Sequence, residues 1–220
     1  MSWQEPRRRL WLRLLGTAFW LLYHPLAWSY DWVSRLVSMG QWRTWQRVAL
    51  TEVRGERALE LAFGTGDLLL DLQAMGGLRP VGLDQSPQMA RIARRKLQRR
   101  GVWVPLVRGR GQQLPFADAS IDTIVSTFPA PFILAQQTLG EIARVLKRDG
   151  RAVVVAMATL SSRSPWGRLL EWLYRITGQR GPLPDLSAKL EAAGLSYRME
   201  WRAVRDSRVL LVLLEKRFDG

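Results

Sequence analysis

The stretch that most constrains the fold is Ala58-Leu59-Glu60-Leu61-Ala62-Phe63-Gly64-Thr65-Gly66-Asp67, which runs straight into Leu68-Leu69-Leu70-Asp71-Leu72. A short apolar run, two closely spaced glycines and leucines at helical spacing read as a buried strand, a tight turn and an amphipathic helix. That is the first βα unit of a nucleotide-type site, where missing Cβ atoms let backbone N–H groups come close to a ligand. The dinucleotide fingerprint G-x-G-x-x-G needs a third glycine at position 69, and Leu69 stands there. A nicotinamide or flavin site is therefore disfavoured.

Downstream, strand and helix alternate. Asp67 opens the helix that Gly76-Gly77 ends, and Val81-Gly82-Leu83-Asp84 is a short second strand closing on a carboxylate. Ser86-Pro87 supplies an N-cap and a first-turn proline for a helix from Gln88 to Arg100. In that helix Met89, Ile92, Ala93 and Leu97 form the buried stripe, while Arg91, Arg94, Arg95, Lys96, Arg99 and Arg100 coat the solvent side. Asp84 lies eighteen residues past Gly66, where an acid in such folds accepts hydrogen bonds from ribose hydroxyls. Strands are expected at Val104–Val107, Ile121–Phe128 and Arg151–Met157. A helix is expected over Leu139–Lys147, with a turn at Asp149-Gly150. Trp166–Thr177 reads as an amphipathic helix, Asp185–Ala193 as a short one, and Ser196–Val204 and Val209–Lys216 as closing strands. The pattern argues for a doubly wound, mainly parallel α/β sheet. It divides the chain into N-terminal helices over 1–56 and one α/β domain over 57–220.

The N-terminal part is set apart by its aromatics. Seven of the eleven tryptophans fall at positions 3, 11, 20, 28, 32, 42 and 45, beside Arg7-Arg8-Arg9 and Arg13. The uncharged span Leu14–Tyr30 is shorter than the roughly 20 apolar residues a membrane-spanning helix needs, and Pro25 interrupts it. Two readings stay open: an interfacial helix with tryptophans at headgroup depth, or a lid that buries them against the catalytic domain. Short helices broken at Gly40 are expected over Tyr30–Gln46. The formal net charge is +14, and only Lys96, Lys147, Lys189 and Lys216 among 33 basic residues are lysine. Such an excess favours an anionic partner, a membrane surface or a nucleic acid, or else reflects an arginine-rich proteome. The absence of cysteine excludes disulfides, thiolate zinc sites and cysteine nucleophiles. No metal site is expected.

These motifs together resemble those of the class I S-adenosylmethionine-dependent methyltransferases, closest to the branch with the quinone-biosynthesis enzymes. Glu60-Leu61-Ala62-Phe63-Gly64-Thr65-Gly66 resembles the family's motif E-x-G-x-G-x-G, and Asp84 matches its following acid. Leu114-Pro115-Phe116 with Asp122, then Glu141-Ile142-Ala143-Arg144-Val145-Leu146-Lys147 and Asp149-Gly150, match later landmarks in order. The resemblance implies a Rossmann-like, seven-stranded sheet ending in an antiparallel strand pair. It implies S-adenosyl-L-methionine as cofactor, with contacts at Glu60, Ala62, Phe63, Gly64, Gly66, Asp84, Gln85, Met89, Gly111, Gln112 and Thr127. Two departures stand out. Ala62 replaces the first glycine, and Arg110 replaces an acid that meets the adenine amino group. Arginine has no acceptor, so that contact is lost or falls to Gln112, Gln113 or a carbonyl, with the Gly111 N–H left for adenine N1.

Methyl transfer of this kind rests mainly on alignment, so no catalytic dyad is required. If a base acts, the single histidine, His24, is the candidate, with Tyr30 and Asp31 nearby. The tryptophan-rich helices point to a small apolar or lipid-like acceptor, and to a cytoplasmic enzyme held at the inner face of the membrane. The alternatives are methylation of RNA, suggested by the charge, and a non-catalytic binding protein that keeps the fold. Against RNA, Thr127-Phe128-Pro129-Ala130 stands where base-amino methyltransferases carry N-P-P-Y.

Overall fold

The computed structural model describes residues 36, 38–160 and 185–217. The Leu14–Tyr30 span, His24, Tyr30, Asp31 and the expected Trp166–Thr177 helix lie outside them. In chain order the elements are α1 (Trp42–Arg47), a 3-10 turn (Val48–Glu52), β1 (Arg57–Leu61), α2 (Asp67–Ala74), β2 (Arg79–Asp84), α3 (Pro87–Arg99) and β3 (Leu106–Arg108). There follow β4 (Ile121–Thr127), a 3-10 turn (Pro131–Leu134), α4 (Gln136–Val145), β5 (Leu146–Leu160), α5 (Ser187–Ala192), β6 (Leu195–Val204) and β7 (Ser207–Lys216). The seven strands form one sheet in the order β3-β2-β1-β4-β5-β7-β6. The first five are parallel, and β7 runs antiparallel to both β5 and β6. This is the expected doubly wound sheet with its antiparallel C-terminal pair.

Strand alternation sorts the core into two layers. Ala58, Val125, Val153, Val155, Val209 and Leu211 pack with Trp45 of α1, Leu68, Leu69 and Leu72 of α2, and Ala93 and Leu97 of α3. Leu59, Leu61, Ile124, Val154 and Val212 pack on the other face with Leu139 and Ile142 of α4 and Leu190 of α5. Glu60 is the exception on β1. Its place in the alternation is the α2 face, where an apolar residue belongs, yet it is 1% exposed.

Boundaries shift where tertiary pairing decides them. β3 starts at Leu106 rather than Val104, because Pro105 has no N–H to give the ladder and only its carbonyl pairs, with the Gly82 N–H at 2.9 Å. The expected turn at Asp149-Gly150 lies inside β5. Ile121 pairs with Leu146 but Thr123 with Arg151, so 147–150 bulge from the ladder, and a Cβ at Gly150 would sit 3.0 Å from the Asp122 carbonyl. Helix α4 begins three residues early, at Gln136, and ends at Val145 as Leu146 turns extended.

Two charge clusters explain landmarks of the sequence. Arg144 donates to Glu141, Asp118 and the carbonyls of Leu114 and Phe116, while Glu141 accepts the Leu114 N–H at 2.6 Å. Asp122 receives Lys147 at 2.7 Å and the N–H groups of Glu56 and Arg57. Both clusters fix loops against the sheet and stand away from the glycine turn.

Candidate functional site

Strand order reverses between β1 and β4, and in open α/β sheets ligands bind beyond the C-terminal ends of the strands at such a switch. Here that position is occupied by the turn between β1 and α2, the end of β2 and the end of β4.

The turn is built from left-handed backbone. Gly64 has φ 54° and Gly66 φ 78°. A Cβ on Gly64 would meet nothing within 4 Å, whereas one on Gly66 would lie 2.9 Å from the Ala93 Cβ of α3. Gly66 thus lets α2 and α3 pack closely, and Gly64 borders open space. Ala62 adopts φ 63°, a conformation that costs an L-residue about 1–2 kcal/mol. The position asks for glycine, and Ala62 accepts the strain.

Asp84 couples β2 to this turn. Its Oδ2 accepts the Gly64 N–H at 2.9 Å and its Oδ1 the Ser86 N–H at 2.8 Å. Burial raises its pKa above the ordinary value, opposed by the N–H groups of Ser86, Gly64 and Gln85. A carboxylate has about four lone-pair sites, so it keeps acceptor capacity for a hydroxyl. Ser86 caps α3 as expected, its hydroxyl accepting the Met89 N–H. Met89 is fully buried and Gln85 is exposed.

Glu60 lies beneath the turn. Burial drives its pKa well above the usual range, and the charges of Asp67, Asp84 and Asp71 push the same way, against one hydrogen bond from the Leu69 N–H in the first turn of α2. Its Oε2 is buried with no partner. An acidic surround with an unsatisfied carboxylate oxygen suits a cationic group. Thr65 and Asp67 both receive Lys96, at 3.1 and 2.9 Å. Lys96 therefore braces the turn rather than coating the solvent side of α3.

Beyond β3, the Gln113 N–H closes on the Arg110 carbonyl at 3.1 Å. Arg110, Gln112 and Gln113 are exposed, while Gly111 is buried, where a Cβ would lie 2.9 Å from the Phe132 ring.

The far wall comes from α1. Its Gln46 side chain donates to the Thr127 hydroxyl at 3.1 Å. Trp42 packs on Phe128 with ring centroids 4.4 Å apart, and Trp45 meets Phe128 edge-on at 6.2 Å. The Trp45 indole donates to the Ser207 hydroxyl at 2.7 Å. Phe128 is itself in a left-handed conformation, φ 48°, directly after β4. Such strain in a bulky residue is sustained only where the surroundings over-determine it. Arg43 and Arg47 clamp α1 to α2 by sharing Asp71 at 2.9 and 2.8 Å. Burial raises the Asp71 pKa, but hydrogen bonds from Arg47 and Arg43 outweigh it and hold the carboxyl below its ordinary value. Sequence reasoning missed Trp42, Gln46 and Phe128 as neighbours of Thr127. The tryptophan spacing marked α1 as unusual, but nothing local links it to a strand end eighty residues away.

A methyltransferase domain model matches residues 59–154. The demethylmenaquinone methyltransferase of Thermus thermophilus is 35% identical over 205 residues, which cover 81% of this chain and 93% of that protein. A ubiquinone/menaquinone biosynthesis C-methyltransferase from Geotalea uraniireducens is 32% identical over 146 residues, 63% of this chain and 62% of that one. Among solved structures, a Methanococcus maripaludis protein described as a candidate S-adenosyl-L-methionine-dependent methyltransferase superposes with a TM-score of 0.65 at 16% identity, covering 88% of this chain and 93% of that one. The chain belongs to the class I S-adenosylmethionine-dependent methyltransferases, in the quinone-biosynthesis branch, and S-adenosylmethionine is its cofactor.

Proposed function

We propose that the enzyme methylates a small apolar ring acceptor of the quinone type, drawn from a membrane surface. The observation that carries this reading is the aromatic shelf of Trp42 and Phe128, backed by the buried Trp45, at the C-terminal end of β4, beside the glycine turn. A flat apolar ring finds a matching face there, and offset aromatic pairs gain about 0.5–1.5 kcal/mol beyond area burial. The name of the Thermus relative, spanned over 93% of its length, supports the same acceptor class.

The site fits the cofactor: open space at Gly64, spare acceptor capacity on Asp84 and the unpartnered buried oxygen of Glu60. In our reading the Gly64 and Gly66 turn, with Ala62 and Phe63, lies along the cofactor. Asp84 and Gln85 take the ribose hydroxyls, and Glu60 faces the methionine ammonium. Met89, Gly111 and Gln112 border the adenine, and Thr127 lies toward the acceptor. S-adenosylmethionine supplies a methyl group on positively charged sulfur. The protein's work is then alignment and water exclusion, and alignment alone can supply roughly 7–11 kcal/mol. A base, for which His24 with Tyr30 and Asp31 is our candidate, adds about 10²- to 10⁴-fold.

The test is transfer of labelled methyl from S-adenosylmethionine to a water-soluble hydroquinone with a short side chain. Product is expected, and Trp42→Ala should raise the acceptor KM about tenfold, the loss of one aromatic face, with cofactor affinity unchanged. Labelling of transfer RNA but no ring acceptor would replace this reading with the RNA one. Absence of cofactor binding by calorimetry would leave a non-catalytic protein.

A further inference from the structure

Between Pro87 and Arg100 the chain carries six cations and no acid. The apolar stripe of α3, with Met89, Ala93 and Leu97, is committed to the core, and Lys96 is engaged by Asp67 and Thr65. The remaining five, Arg91, Arg94, Arg95, Arg99 and Arg100, are all exposed, and none forms an ion pair among the described residues. Elsewhere in the domain many arginines find carboxylates, although Arg57, Arg108, Arg110, Arg205 and Arg208 do not. Arg43 and Arg47 share Asp71, Arg144 lies on Glu141 and Asp118, Arg151 and Arg202 meet Glu52, and Arg217 meets Glu191.

The other unpaired arginines are scattered along the domain, whereas these five follow one another along α3 and its C-cap residue Arg100. From Arg91 to Arg99 the stripe runs about 12 Å at 1.5 Å per residue. Like charges at i, i+3 and i, i+4 repel, so the face gains from an anionic surface laid against it. Three residues past Arg100 stands Trp103, 81% exposed, the most exposed large hydrophobic side chain among the described residues.

We propose that the outer face of α3, with Trp103 at its foot, docks on an anionic lipid bilayer. The choice of lipid rests on the reading of the acceptor as a membrane-borne apolar ring. It rests also on shape: Arg91, Arg94, Arg95 and Arg99 ride one outward helix face rather than a groove, and one tryptophan is not the series of stacking platforms that single-stranded nucleic acid uses. Because the apolar side of α3 is buried in the core, the helix does not insert. The contact is electrostatic, arginines to headgroups, with Trp103 at interfacial depth.

The full chain is mixed with vesicles of phosphatidylcholine alone or with phosphatidylglycerol, and bound protein is measured by cosedimentation at low and high salt. Binding is expected to the anionic vesicles only, and to fall as salt screens it. Arg94→Gln/Arg95→Gln/Arg99→Gln should weaken it on the order of 100-fold. Trp103→Ser should weaken it while leaving the salt dependence intact. Circular dichroism and cofactor-induced thermal shift confirm that each variant is folded. Both variants should methylate the water-soluble hydroquinone at the parent rate. Parent-like vesicle binding by both variants overturns the proposal, as does a single-stranded RNA that displaces the protein from vesicles. Failure of the parent on the soluble acceptor alone sinks the acceptor reading and leaves the vesicle result standing.

Discussion

Two glycines two residues apart do different work, and alanine at each separates them. At Gly66 the left-handed φ of 78° costs alanine about 1–2 kcal/mol, partly offset by a stiffer unfolded chain. The added Cβ would also lie 2.9 Å from the Ala93 Cβ and 3.4 Å from its Cα, inside the roughly 3.5–4.0 Å carbon contact distance. Those atoms are rigid, so α3 must move away from α2, and overpacking of this kind costs about 1–3 kcal/mol. The sum for Gly66→Ala is about 2–4 kcal/mol, a fall in Tm of roughly 4–16 °C at about 2–4 °C per kcal/mol. Gly64→Ala meets nothing within 4 Å and should cost only about 1 kcal/mol. Its methyl, however, points into the space proposed for the cofactor and should weaken S-adenosylmethionine binding by about tenfold or more. The assays are thermal melts without ligand and calorimetric titration with S-adenosylmethionine. In the cycle with Ala93→Gly, Gly66→Ala should show a coupling of about 1–3 kcal/mol. Equal destabilisation by the two alanines, or no coupling to Ala93, would refute the division of labour.

Ala62→Gly relieves a left-handed alanine and should stabilise the fold by about 1 kcal/mol with cofactor affinity retained, measured by chemical denaturation and calorimetry. Asp71→Asn removes the shared anchor of Arg43 and Arg47. Since both arginines are about half exposed, the loss is held to about 1–2 kcal/mol, read by denaturation with tryptophan fluorescence. Asp71 has a folded pKa below its unfolded value. Its contribution is therefore present above the ordinary carboxylate range and lost as pH falls through the folded pKa, and the asparagine variant should lack that acid-side loss. Glu60 has the opposite sign. With its folded pKa raised, stability is greatest below the unfolded pKa and declines as pH rises toward the folded one. Glu60→Gln should flatten that decline and raise the ligand-free Tm at neutral pH, while S-adenosylmethionine binds more weakly. A variant less stable than the parent at neutral pH would contradict the burial argument.

Much of the architecture is written in local chemistry. The strand–glycine–helix unit, the Ser86-Pro87 start of α3 and the closing strand pair follow from hydrophobic period and turn residues, which act within a few positions of themselves. So does Asp84 at the end of β2, because a short strand closing on a carboxylate is a local pattern. The order of elements, the sheet type and the glycine turn facing Asp84 are therefore legible in the chain alone. How these meet depends on contacts across the assembled fold. Neither the strained backbone of Ala62 and Phe128 nor the seating of Trp42 and Gln46 against the end of β4 has a local signature. Each depends on segments that approach only once the sheet is assembled. Charge divides the same way. The composition set the excess of arginine, but which arginines find a carboxylate depends on distances across the fold. Those distances leave Arg91, Arg94, Arg95, Arg99 and Arg100 facing outward along α3.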